Sequence, residues 1–245
     1  RTCCSPAISG SIRTRTDAAK IVDVSGLRDR VAVFRDRPHA GEVLAGLLER
    51  FRGSGAVVLA IPAGGYPVAS VIARRLGLDL DFAVVSKITP SWNSEVGYGA
   101  VAFDGVEHVD ERLAADLGIA AEERRAGIEA ASRKVARRVA SLRGGTSAPR
   151  LEGRPVILVD DGLASGTTML VAIDAVERLK PAGITVAVPT AQIEAARRVA
   201  GRVEALYVAN LRSGSRFAVA AAYENWRDVT DREIPPAPSR PGVAV

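Results

Sequence analysis

Val156-Ile-Leu-Val-Asp-Asp-Gly-Leu-Ala-Ser-Gly-Thr-Thr-Met169 decides how the rest of this 245-residue chain is read. Four apolar, mostly β-branched residues give way to two acids, then to a loop of small residues, and then to an apolar stretch of helical character: strand, loop, helix. A run such as Val156 to Val159, with no polar alternation, suits a central parallel strand covered on both faces. Such sheets bind ligands beyond the carboxyl ends of their strands. Asp160 and Asp161 are therefore predicted at a binding edge.

The loop that follows has the chemistry of a phosphate monoester site. Gly162 and Gly166 permit close backbone approach, Ala164 keeps the loop small, and Ser165, Thr167 and Thr168 supply hydroxyls. A helix starting near Gly166 turns its free N–H groups toward an anion. Two adjacent carboxylates would repel that phosphate if they pointed into the same loop, so they are expected to reach a sugar diol just beyond it. A ribose 5-phosphate satisfies both halves, and a divalent cation near the ribose would offset the acidic charge. Nothing in the chain fits GxxxxGK[ST], and no GxGxxG supports a dinucleotide site.

With its hydrophobic strand, Asp160 to Thr168 resembles the ribose-phosphate signature of the type I phosphoribosyltransferases, which use phosphoribosyl diphosphate (PRPP). The resemblance spans roughly Phe34 to Ile234. It implies an α/β fold, a doubly wound, mainly parallel sheet flanked by helices, with a small cap of helices and loops. It also implies transfer of a 5-phosphoribosyl group from PRPP to a nitrogen nucleophile, a nucleobase-like acceptor, with release of diphosphate. Mg2+ is the implied cofactor, held mainly by PRPP and water near Asp160 and Asp161 rather than by a protein ligand set. A homodimer is implied too.

Earlier in the chain, Ala56 to Ile61 reads as a second buried strand, followed by Pro62-Ala-Gly-Gly-Tyr-Pro67 and a helix through Leu76. In the resembled family the corresponding turn binds the diphosphate of PRPP, which makes Ala63, Gly64 and Gly65 the expected diphosphate loop; its less-characterised bacterial and archaeal branch usually carries arginine where this chain has Ala63. A helix with Val43, Leu44, Leu47, Leu48 and Phe51 at helical spacing precedes that strand. A third strand is predicted over Phe82 to Ile88, and a polar loop from Thr89 to Gly99 is of the kind that closes over substrates. Lys87 and Glu95, whose spacing with Pro90 and Gly97 resembles the same branch, join Asp160 and Asp161 as expected catalytic residues.

Asp110 to Leu142 reads as one or two amphipathic helices broken near Gly118, with Arg133, Lys134, Arg137 and Arg138 on a polar face that could attract an acidic partner but is expected to be a solvated one. Strands are expected over Ile184 to Pro189 and Ala205 to Leu211, with a helix from Gln192 to Ala200 between them. Toward the C-terminus, Tyr223 and Trp226 are candidates to stack on a planar base or to bury their rings. Residues 1–33 are expected as a poorly ordered or peripheral arm in which Lys20 to Val24 could pair as an edge strand, 34–234 as the phosphoribosyltransferase-like domain, and 235–245 as a disordered tail.

Composition sets the outer bounds. A 47% hydrophobic content is ample for a core, and the net charge of +5 comes from dispersed arginines rather than one cluster. Nucleic acid is accordingly not the expected partner, and an anionic substrate explains part of the charge. Cys3 and Cys4 have no partner cluster, and His39 and His108 are isolated. The most apolar long stretch, Ala56 to Ala73, is broken by prolines and glycines, so no membrane span is expected. No signal-peptide pattern precedes the domain, and the cytoplasm is the expected compartment. A second reading of the same pocket is a PRPP-sensing regulator that binds nucleic acid through a basic surface and has no turnover.

Overall fold

In the computed structural model, which describes residues 20–93, 96–143, 149–214 and 216–237, six strands form one wholly parallel sheet. They are β1 (Lys20–Asp23), β2 (Val57–Ala60), β3 (Asp79–Phe82), β7 (Pro155–Val159), β8 (Gly183–Gln192) and β9 (Ala205–Arg212), in the order β1-β9-β8-β7-β2-β3. Cys3, Cys4, Glu95 and the tail from 238 lie outside the described residues.

Burial follows the alternation of the strands. Val58, Ala60, Ile157 and Val159 face one core with α1 (Arg37–Leu47) and α2 (Gly65–Leu76). Val57, Leu59, Val156 and Leu158 face a second with α5 (Thr167–Glu177) and α6 (Ile193–Ala200). Covering both faces is why these strands carry unbroken apolar runs. From β2 the chain crosses through α2 to β3 on one side, whereas from β7 it crosses through α5 to β8 on the other. The direction of winding therefore reverses between β2 and β7, and the loops leaving their carboxyl ends diverge to open a crevice.

The predicted strand from Phe82 to Ile88 is two strands in different sheets. β3 ends at Phe82, and after the buried Ala83 and Val84 the chain enters β4 (Val85–Ile88). A continuous apolar run cannot reveal a change of sheet, because both halves are equally buried. Beside β4 lie β5 (Gly99–Ala102) and β6 (Glu107–Val109) in a three-stranded antiparallel sheet. The cap, expected as helices and loops, is thus a hood with its own sheet, packed against α5 and against α4 (Ala121–Arg143). The break near Gly118 separates α4 from α3 (Glu111–Asp116).

At the N-terminal side, β1 pairs with β9 at the sheet edge. The segment after it is tied down as well: Asn210 donates from Nδ2 to the Leu27 carbonyl, and the amides of Val33 and Phe34 donate to Ala222. Asp36 caps α1 by accepting from the His39 amide at 2.8 Å, which gives His39 a structural place.

One buried cation fastens the hood to the main sheet. Arg143, at the end of α4, donates to the Phe82 carbonyl and, at 3.2 Å, to Asp81, with its guanidinium 5.1 Å from the Phe103 ring centre. Removing it would strand a carbonyl and a carboxylate in a desolvated place. Arg143→Ala should therefore lower the unfolding free energy by about 3–5 kcal/mol in urea denaturation, whereas a loss within the error of the measurement would show that the hood is anchored elsewhere.

Candidate functional site

The crevice at the sheet reversal is a cleft of about 750 Å3. Its floor is made by the two loops that leave β2 and β7 at the same level, since Ala60 pairs with Val159 and the Ile61 amide donates to the Val159 carbonyl at 2.8 Å. The sequence-predicted residues Ala63, Gly64, Lys87, Asp160, Asp161, Gly162, Ala164, Ser165, Gly166, Thr168 and Trp226 all line it.

The first loop is pressed against the acids. A Cβ on Gly64 would lie 2.1 Å from Asp161 Oδ2, and one on Gly65 would lie 2.6 Å from the Val159 carbonyl and 2.9 Å from Asp160 Cα. Only glycine fits either position, so the pair has a steric role whatever it binds. The Pro62–Ala63 peptide is cis. α2 begins at Gly65, inside the predicted turn, with Pro67 accommodated in its first turn.

In the second loop, Gly166 has φ +77° and precedes α5, so the first amides of that helix open toward the cleft without partners inside the helix. Ser165 Oγ lies 3.2 Å from Thr167 Oγ1 and accepts from the Thr167 amide at 3.3 Å. Arg198 of α6 donates to the Ser165 carbonyl at 2.6 Å, which brings a cation beside the loop that sequence reading did not single out.

Asp161 is held by another residue missed as a site residue, Arg37 of α1. Its guanidinium donates Nε and Nη2 to Asp161 Oδ2, both at 2.8 Å, and Nη1 to the Arg227 carbonyl at 2.8 Å. The pair is 124 positions apart. No local pattern could have linked them. The Trp226 ring lies 3.8 Å from the Arg37 guanidinium carbon, a cation–π stack that occupies one face of the indole. Tyr223 is buried, packs on Phe34 and Trp226, and donates its hydroxyl to the Asp161 carbonyl at 2.7 Å. Of the two aromatic candidates for base stacking, Tyr223 is therefore a brace beneath the acids, while Trp226 still borders the cleft.

The hood closes the opposite wall. Lys87 on β4 and, from α4, Gly127, Ala130, Ala131, Lys134 and Arg138 face the cleft. Arg138 donates to the Pro62 carbonyl at 3.2 Å and to Asp231 at 2.9 Å. Lys134, exposed like its neighbours Arg133 and Arg137, and the half-buried Arg138 border the cleft. Trp92 is also exposed and is not among the lining residues.

Burial pushes the carboxyls of both acids above their usual range; the neighbouring charge of Asp161 adds to this at Asp160, and Arg37 opposes it at Asp161. Asp160 Oδ1 accepts the Asp161 amide at 2.8 Å, a bond that an asparagine would keep. A raised folded-state pKa means that the native state favours the neutral acid. Its contribution is present below the unfolded pKa of about 3.9 and is lost as pH rises through the folded value. Ligand-free Asp160→Asn should accordingly melt higher than wild type at pH 7.5, with the gain vanishing as pH falls below about 3.9. An equal or lower Tm at pH 7.5 would show that Asp160 carries no desolvation cost.

Residues 37–204 match the family model of the phosphoribosyl transferase domain. A Mycobacterium tuberculosis H37Rv protein named "Putative phosphoribosyl transferase Rv0571c" and its counterpart in strain CDC 1551 are each 32% identical over 206 residues, covering 82% of this chain. The chain spans 45% of the length of each of these relatives. The crystal structure of TT1426 from Thermus thermophilus superposes with a TM-score of 0.64 at 33% identity, over 82% of this chain and 95% of that one. The match over most of the chain follows the strands, loops and helices that build the cleft, and the chain belongs to the phosphoribosyl transferase family.

Proposed function

We propose that the cleft binds PRPP and transfers its 5-phosphoribosyl group to a nitrogen base. The observation that carries this is the convergence, at the reversal of the sheet, of a glycine turn and an acid-then-hydroxyl loop on one crevice. In this reading the helix N-terminus of α5 and the hydroxyls of Ser165, Thr167 and Thr168 take the 5-phosphate. Asp160 and Asp161 accept hydrogen bonds from the ribose diol, and the Ala63–Gly65 turn takes the diphosphate.

The bond from ribose C1 to the diphosphate oxygen breaks with its electron pair leaving on diphosphate. The acceptor nitrogen forms the new bond to C1, and its proton passes to solvent. Because C1 gains oxocarbenium character, the protein's task is to fix the ribose, exclude water and favour charge on the departing group. Because the turn has no room for even one methyl group beside Asp161, a diphosphate taken by the turn would lie close to two carboxylates. That arrangement suits a cation shared between substrate and acids. Among the described residues no cluster of three or more His, Cys, Asp or Glu forms a protein cage for a metal. In this reading Mg2+ would be held chiefly by substrate oxygens, with Asp160 the available carboxylate, since Asp161 is engaged by Arg37. Such an ion would neutralise the leaving group. Lys87 faces the same space from the hood. Glu95, expected beside it, lies outside the described residues.

Titration calorimetry tests the assignment. Asp160→Asn combined with Asp161→Asn should bind PRPP with Mg2+ more than about tenfold more weakly, because each lost charge-assisted bond is worth roughly 1.5–3 kcal/mol. Unchanged affinity in a folded double variant would remove the acids from the ribose. In the phosphate loop, Gly166→Val should weaken ribose 5-phosphate binding more than Ser165→Ala, since a β-branched residue is strained at φ +77° while the lost hydroxyl removes one contact of about 1 kcal/mol. Equal affinities in wild type and Gly166→Val would move the phosphate elsewhere.

A further inference from the structure

The turn taken to receive diphosphate, Pro62 to Tyr66, carries no cationic side chain of its own. The wall facing it does. On α4, Gly127, Ala131, Lys134 and Arg138 recur at spacings of four, three and four, one stripe of the helix, and all four line the cleft. Gly127 lies so close to the hood that a Cβ there would be 2.5 Å from the Tyr98 hydroxyl and 3.1 Å from Ile88 of β4, Ala131 is buried, and the two cations follow along the stripe toward the turn, where Arg138 reaches the Pro62 carbonyl at 3.2 Å.

These two cations are not equivalent. Arg138 is largely buried, at 13% side-chain exposure, and two of its nitrogens meet the Asp231 carboxylate at 2.9 Å, so its charge is already balanced and its position fixed. Lys134, one helical turn away, is more open to solvent as a residue, yet its ammonium is partly desolvated and has the positive charges of Arg138, Arg137 and Lys87 around it. Desolvation and these like charges lower its pKa, with Asp231 opposing, so an incoming anion relieves repulsion as well as gaining a partner.

We propose that Lys134 is a binding residue for the diphosphate of PRPP, and that Arg138, braced by Asp231, is the positioning residue that holds the Pro62 turn against it. Diphosphate gains charge as the C1–O bond breaks, so an ammonium here favours the departing group more than the intact substrate. Rotatable donors on a flexible stem let one lysine follow that group as it separates. The proposal rests on the PRPP reading of the cleft.

Calorimetry with Mg2+-diphosphate and, separately, with ribose 5-phosphate distinguishes the two. Lys134→Ala should weaken diphosphate binding by about tenfold and leave ribose 5-phosphate within about twofold, a split that misfolding would not produce. Lys134→Arg should recover most of the loss. So should Ala63→Arg placed in the Lys134→Ala background, because it returns a cation to the same space from the turn. Arg138→Ala should also weaken diphosphate, and Arg138→Lys should recover less than Lys134→Arg does, because a single nitrogen cannot reproduce the three guanidinium nitrogens spread over Asp231 and the Pro62 carbonyl. Unchanged diphosphate affinity in Lys134→Ala, with ribose 5-phosphate still bound, would overturn the proposal alone. Failure of wild type to bind either ligand would overturn the phosphoribosyl reading and the proposal with it.

Discussion

The contact between Gly64 and Asp161 constrains most of what surrounds it. β2 and β7 run parallel, side by side, and end at the same level, so the loops they feed must pass each other within a methyl group's width. That closeness requires glycine on one loop and, on the other, acids whose direction is fixed. Arg37 supplies the fixing by holding one oxygen of Asp161 with two nitrogens, and the arginine is in turn stacked on Trp226 and bonded to the Arg227 carbonyl. Tyr223 completes the brace from below through the Asp161 carbonyl. Elements distant in sequence, the start of α1 and the aromatic segment after β9, are thereby committed to a two-residue acid pair.

Electrostatics explains why so much support gathers there. Two adjacent, largely desolvated carboxylates disfavour each other's charge, and a folded chain keeps them only at some expense in stability. The cleft answers with cations from three directions: Arg37 from α1, Lys87 from β4, and Lys134 with Arg138 from α4. The acids stay largely desolvated and therefore strongly interacting, which is the condition under which hydrogen bonds to them count for most. Anchoring the hood through Arg143 keeps the α4 cations at a set distance from the Pro62 turn instead of leaving them on a drifting helix.

The matched family region ends at residue 204, but the structure of the site does not. Tyr223, Arg227 and Asp231, all beyond it, hold Asp161, Arg37 and Arg138 respectively. β1 and the residues through Phe34 are stitched to the same part of the chain by Asn210 and the Ala222 carbonyl. The parts outside the family match thus brace the acid pair from behind.

Local chemistry alone determined the strand, acid pair, hydroxyl loop and helix from Val156 to Met169, because strand burial, a small-residue loop and a helix start are all written within a few residues of one another. The same holds for the Gly64-Gly65 turn, for the helices at their periods, and for the parallel, doubly wound sheet that alternating strands and helices imply. Tertiary structure decided what depends on distant partners. Arg37 looked like one more dispersed arginine until folding brought it to Asp161. Lys134 and Arg138 read as part of a solvated face, since a helix's period fixes which residues share a side and not what that side will meet. Phe82 to Ile88 divided between two sheets because burial is the same in both, and Tyr223 became a brace rather than a stacking platform because its hydroxyl found a carbonyl 62 positions away. Periodicity records which side of an element is buried, and burial is alike in a core and at a sheet boundary.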